Sequence, residues 1–174
     1  MKKTLLIAVL FLTTTFAASA QNSSQSYIEK FKDNAIRIMH ESGVPASIIL
    51  AVAMHESANG NSSVARNLNN HFGMKGHSQV SSGHKKVHSS YKQYDSVLDS
   101  FQDFARIMTE RKQFSHLAES LNHYDYKSWV KGIQHSGYAS SHVWGSQVLG
   151  LIHKYQLYSY DESPDSVKVA SNTR

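Results

Sequence analysis

The chain contains no cysteine, which excludes a disulfide framework and lipid attachment at an N-terminal cysteine, so apolar burial must hold the fold unaided. It has only two prolines, Pro45 and Pro164. No segment is long and apolar enough to span a bilayer. Arginine-rich runs and aromatic RNA-binding motifs are missing, and a formal charge of +5 is too weak to argue for nucleic acid. One gap is local: from Ser57 to Tyr94 there is neither aspartate nor glutamate.

What is present fits one globular domain, 174 residues with 40% hydrophobic content, enough to bury a real core. The first twenty residues stand apart. Lys2-Lys3, the apolar run Leu5 to Leu12 and Ala18-Ser19-Ala20 have the layout of a Sec signal peptide cleaved after Ala20. The expected location is therefore periplasmic or secreted. Removing residues 1–20 leaves a mild positive balance, suited to an anionic polymer surface.

Residues 21–26 read as a polar leader with Ser26 as N-cap of a helix, whose apolar face is Ile28, Phe31, Ala35, Ile38 and Met39. Gly43-Val44-Pro45 stops it. Residues 62–70 suggest a short helix. Gly76 to Ser90 has the glycines, serines and weak alternation, around Val80 and Val87, of a β-hairpin that exits through Tyr91 to Tyr94. Ser96 and Asp99 form a capping-box pattern ahead of a helix with Val97, Phe101, Phe104 and Met108 on its buried stripe. Short helices follow over Phe114 to Leu121 and Asp125 to Ser136. A last helix is expected from Ser141, with Trp144, Val148 and Tyr155 at helical spacing. From Ser159 to residue 174 the polar sequence reads as a disordered tail. The fold class is α+β, mainly helical.

The chain is organised around Pro45 to Asn70. Between Ala46 and Met54 Ser47 is the only polar residue, and a helix apolar all round is a buried one. Asn59-Gly60 supplies a stop. Glu56 then stands in the last turn, where the carbonyl end of the helix and partial desolvation disfavour its ionised form. Those are the conditions for a general acid, although helix-terminal glutamates also serve as ordinary solvated or ion-paired residues.

Taken in order, Val44-Pro45-Ala46-Ser47, AVAMHESANGNSSVARNLNNHFGMKG, YKQYDSVLDSFQDF and YKSWVKGIQHSGYAS resemble the glucosaminidase family of peptidoglycan hydrolases over residues 27–158. The resemblance implies a lysozyme-like fold with a groove between a helical body and a small β-hairpin lobe. It implies cleavage of peptidoglycan glycan strands at the β-1,4 bond after N-acetylglucosamine, without a cofactor. Glu56 matches the catalytic acid, and Asn69, Asn70 and Phe72 match a groove-shaping motif. Tyr138 matches a tyrosine near the reacting sugar, and Tyr94 falls in the aromatic exit of the hairpin. A monomer acting on glycan strands is expected.

Glycoside hydrolysis usually needs a second carboxyl, and the acid-free hairpin cannot supply it. The substrate's own acetamido group, an aspartate after the hairpin (Asp95, Asp99 or Asp103) or a hairpin histidine (His84 or His88) are the candidates. Asp99 has a capping role to fill, and Asp103 is expected to face solvent or pair locally. The His84, His88 spacing suits a metal only on a helix, so no metal is expected. A catalytically weak or inactive peptidoglycan-binding module of the same fold, and a lytic transglycosylase working with one acid, are the alternatives.

Overall fold

A computed structural model describes residues 24–82 and 85–161, the side chains of residues 79–87 excepted. Residues 1–23 (the expected signal peptide among them), His84 and residues 162–174 lie outside the described residues. Helix α1 covers residues 24–42. After it come α2 (Ala46–Ser57), α3 (Ser63–Leu68), β1 (Lys75–Ser82), β2 (Lys85–Tyr91), α4 (Val97–Glu110), α5 (Ser115–Ser120), α6 (Tyr126–His135), α7 (Trp144–Lys154) and a 3-10 turn, Leu157–Tyr160.

Helix α2 is the axis of the molecule, as its composition demands. Every residue from Ala46 to Met54 is at most 2% exposed, and α7, the 3-10 turn, α4 and α6 all pack around it. The stripe of α1 (Ile28, Phe31, Ala35, Ile38 and Met39) joins the same core. The capping box forms as expected, with Ser96 Oγ accepting from Asp99 N and Asp99 Oδ2 accepting from Ser96 N. The hairpin is a two-stranded antiparallel sheet with Val80 opposite Val87 and an irregularity between Lys75 and Ser78.

Three expectations at element ends are corrected. Ser26 caps nothing, because α1 is already helical at Ser24, which is buried and accepts from Asn59 Nδ2. Helix α7 begins at Trp144 after a Val143 cap, three residues later than expected. Residues 159–161, expected to open the tail, are structured instead, and Asp161 is 2% exposed. Asp161 Oδ1 accepts from the Ser47 amide at 2.8 Å and Oδ2 from Ser47 Oγ at 2.5 Å. The carboxylate thus supplies the N-terminal cap that Pro45, with no capping side chain, cannot give α2. Asp161→Ala is expected to lower stability by about 1–2 kcal/mol in denaturant titration; an unchanged midpoint would show that water satisfies the helix end equally well.

Candidate functional site

The segment that ends α2 does so under constraint. Ala58, Asn59 and Gly60 all take positive φ, at 52°, 57° and 79°, so the stop falls one residue earlier than Asn59. Non-glycine residues there are strained. The turn is held by Asn59 N donating to Met54 O and by buried Ser57, whose hydroxyl accepts from Gly60 N and donates to Ala53 O. Gly60 is also required sterically, since a Cβ would press on the His71 and Tyr27 rings at 3.2 and 3.3 Å.

This rigid end delivers Glu56, whose side chain is 27% exposed, into the wall of a groove of about 690 Å³. Trp144 Nε1 donates to its Oε1 at 2.8 Å, and His55 Nδ1 stands 3.3 Å from the same oxygen. An indole N–H only donates, so Oε1 stays an acceptor. Oε2 has no hydrogen-bond partner among the described residues and is the oxygen left to carry an exchangeable proton. His55 Nε2 meets Gln147 Oε1 at 3.1 Å, tying α2 to α7. The hydrogen bond to Glu56, opposed by desolvation and helped by Gln147, raises the His55 pKa above its ordinary value.

The Trp144 ring packs at a tilt against Tyr138, centroids 5.4 Å apart. It is placed by the close approach of α7 to α6, where Gly145 N donates to Gln134 Oε1 and a Cβ on Gly145 would strike that oxygen. Burial, and then the Glu56 charge, push the Tyr138 hydroxyl well above the usual tyrosine range. It remains a neutral donor, directed to Phe72 O at 3.4 Å.

The groove-shaping motif acts from beneath the wall. Asn70 is 1% exposed; its Nδ2 donates to Met74 O and Lys92 O, and its Oδ1 accepts from Met74 N. Asn69 Nδ2 donates to Tyr94 O and Asp95 O. Both amides are engaged by backbone, so they clamp the hairpin base to the helical body. Phe72 and Tyr138 line the groove; Asn69, Asn70 and Tyr94 do not. The Phe72 ring itself is 3% exposed and stacked on Phe104 at 4.4 Å.

Among the possible second groups, Asp95 and His88 are exposed and outside the groove lining. Asp103, expected to face solvent or pair locally, does pair locally, with Arg106 three residues on, but is buried in the groove wall. It accepts from Tyr94 Oη at 2.6 Å, from Lys92 Nζ at 2.9 Å and from Arg106 through Nε at 3.0 Å and a second nitrogen at 2.6 Å. Burial alone would raise the Asp103 pKa, but these donors reverse that and hold it down to about 2. A carboxylate so engaged is an anchor for cations and a poor base. No group of three or more His, Asp or Glu side chains within metal-binding reach occurs among the described residues.

His71 of the same motif sits in an aromatic box. Its Nδ1 meets Tyr27 Oη at 2.6 Å, and Phe31 and Phe101 flank the ring. Burial, with a smaller contribution from Lys30, lowers its pKa from 6.5 to about 4. The unfolded chain therefore binds the extra proton first, and this contribution to stability is complete above pH 6.5 and lost towards pH 4. Burial raises Asp161 from 3.8 to about 6, against its Ser47 and Ala46 donors, and this acts in the opposite sense. The stability difference between wild type and His71→Phe, read by denaturant titration, should shrink by roughly 3 kcal/mol from pH 7 to pH 4. A constant difference would show that His71 titrates normally.

Residues 32–157 match the family model described as mannosyl-glycoprotein endo-beta-N-acetylglucosaminidase. Exo-glucosaminidase LytG of Bacillus subtilis is 26% identical over 186 aligned residues, and the match spans 93% of this chain and 65% of that relative. The glycoside hydrolase domain of FlgJ from Salmonella typhimurium superposes with a TM-score of 0.61 at 21% identity, over 86% of this chain and 98% of that one. A peptidoglycan hydrolase from Sphingomonas sp. A1 gives 0.62 at 22% identity, over 78% and 92%. The expected mainly helical, lysozyme-like architecture with one small sheet is the one found. Since the family match runs from the middle of α1 to the start of the 3-10 turn, the chain belongs to the glucosaminidase family.

Proposed function

We propose that this protein is a peptidoglycan hydrolase, an endo-β-N-acetylglucosaminidase that cleaves the β-1,4 bond after N-acetylglucosamine with Glu56 as general acid. The observation that carries the reading is the geometry of Glu56: a groove-lining carboxyl at the end of a buried helix, one oxygen fixed by the Trp144 N–H and the other unengaged. A proton on Oε2 passes to the glycosidic oxygen as the C1–O bond breaks. With Asp103 locked by cations, the acetamido oxygen of the N-acetylglucosamine unit is the nucleophile that best fits the wall. It closes on C1, the Glu56 carboxylate then takes a proton from water, and that water reopens the ring, retaining the anomeric configuration.

Digestion of purified peptidoglycan by residues 21–174, with mass spectrometry of soluble fragments, tests this. Internal fragments with reducing N-acetylglucosamine ends are expected; release from strand ends alone would make the enzyme an exo-glucosaminidase. The lone unengaged carboxyl also suits a lytic transglycosylase, which would leave anhydro ends. Retention on the wall without fragments would leave a binding module. The working form is proposed to be a monomer, periplasmic or secreted after loss of residues 1–20.

A further inference from the structure

Beyond Glu56 the groove carries a charge that glycan hydroxyls do not require. Lys75, Lys92, Arg106 and Arg111 all line it, against Asp103 as the only other carboxylate among the described residues. These cations come from four places: the first residue of β1, the residue after β2, the body of α4 and its C-cap. Their convergence on one groove is a product of the tertiary fold and not of one helix's periodicity.

The wall divides into satisfied and unsatisfied members. Lys92 and Arg106 hold Asp103, and Arg106 also reaches Glu110 at 3.1 Å. Arg111 is exposed and makes no side-chain hydrogen bond or ion pair with the described residues, yet its charge is felt at the Tyr94 hydroxyl. Lys75 Nζ lies 3.8 Å from the centroid of the Tyr91 ring, without a carboxylate partner among the described residues. At the end of α4, Arg111 also offsets the helix dipole, but that role needs no groove and leaves Lys75 unexplained. A guanidinium offers a fork matched to carboxylate, and an ammonium beside it adds a point charge.

We propose that Arg111 and Lys75, with Lys92 and Arg106 behind them, form a carboxylate-binding subsite of the groove. It takes the acid groups that a peptidoglycan strand carries on its muramoyl residues: the lactyl carboxylate where the peptide has been removed, or the carboxylates of the attached peptide. The inference rests on the glycan-strand reading above and assigns that site a preference for acidic over neutral glycan.

The test is calorimetric binding to residues 21–174 carrying Glu56→Gln, which separates recognition from cleavage. Three soluble probes are compared: a neutral N-acetylglucosamine oligomer, a peptide-free glycan oligomer with lactyl carboxylates, and a peptide-bearing oligomer. Acidic probes should bind about tenfold tighter than the neutral one, an advantage that fades with added salt. Arg111→Gln and Lys75→Gln should each reduce it about threefold to fivefold without altering neutral-oligomer binding, and Arg111→Lys should restore part of it. An advantage confined to the peptide-free oligomer identifies the lactyl carboxylate, which the peptide-bearing strand holds as an amide; one confined to the peptide-bearing oligomer identifies the peptide carboxylates, and one shared by both shows that the subsite takes either acid. Equal binding of all three, or an advantage untouched by either substitution, would overturn the subsite and leave the glycan reading standing. Binding of none would remove both.

Discussion

Glu56→Gln is expected to lower glycan-strand cleavage by about 10²- to 10⁴-fold, the usual contribution of a positioned general acid. The amide keeps the shape of the carboxyl, and its carbonyl can still accept from Trp144 Nε1. What disappears is the acidic proton on the unengaged side. The thermal midpoint and circular dichroism should therefore match the wild type, placing the loss in chemistry. Soluble fragments from peptidoglycan, followed over time, give the rate. A variant keeping more than about a tenth of wild-type activity would exclude Glu56 as the acid, whatever its fit to the groove.

Trp144→Ala is expected to destabilise the protein by about 3–5 kcal/mol. The side chain is 2% exposed, so truncation opens a cavity between α2, α6 and α7 and removes a donor from Glu56. Trp144→Phe separates these effects. It retains most of the apolar contact with Tyr138 but leaves Glu56 Oε1 only His55, 3.3 Å away. The loss in kcat should then be about tenfold, and the pH profile should change on one side. The imidazolium's hold on Glu56 is complete at acid pH and fades as the pH rises through the raised His55 value. The phenylalanine variant should therefore lose activity on the alkaline side faster than the wild type. If the variants follow parallel profiles, His55 and Trp144 do not share the task of holding Oε1.

Much of this site can be read from local pattern. Unbroken apolar sequence around Ser47 announces a buried helix, and Glu56 at its end announces a carboxyl brought out of the core. The capping box at Ser96 and the hairpin need only near neighbours. The missing pieces depend on residues far apart in the chain. Trp144 is visible as one apolar position of α7, but its N–H reaches a carboxyl 88 residues earlier. A buried indole needs an acceptor, and that was the available signal. Ser47 carried another: a hydroxyl inside an apolar helix needs a partner, found in a stretch whose polar composition suggests a tail. Asp103 reads as a solvent-facing or locally paired residue; its pair with Arg106 is local, but its burial depends on Lys92 and Tyr94, which arrive from the hairpin exit. Asn69 and Asn70 are assigned to the groove by resemblance, and a motif match does not tell whether an amide meets sugar or backbone.

The clasp between Ser47 and Asp161 also orders events in time. It joins positions 114 residues apart, and closing so long a loop is entropically expensive and slow compared with forming a helical turn. As the chain emerges from its N-terminus, the helix bearing Glu56 comes early, while the acid that completes its first turn comes near the end of the described chain. A chain stopped short of Asp161 would hold every groove residue named above and still lack the group that caps its central helix, so the site reaches its full stability only with the last turn.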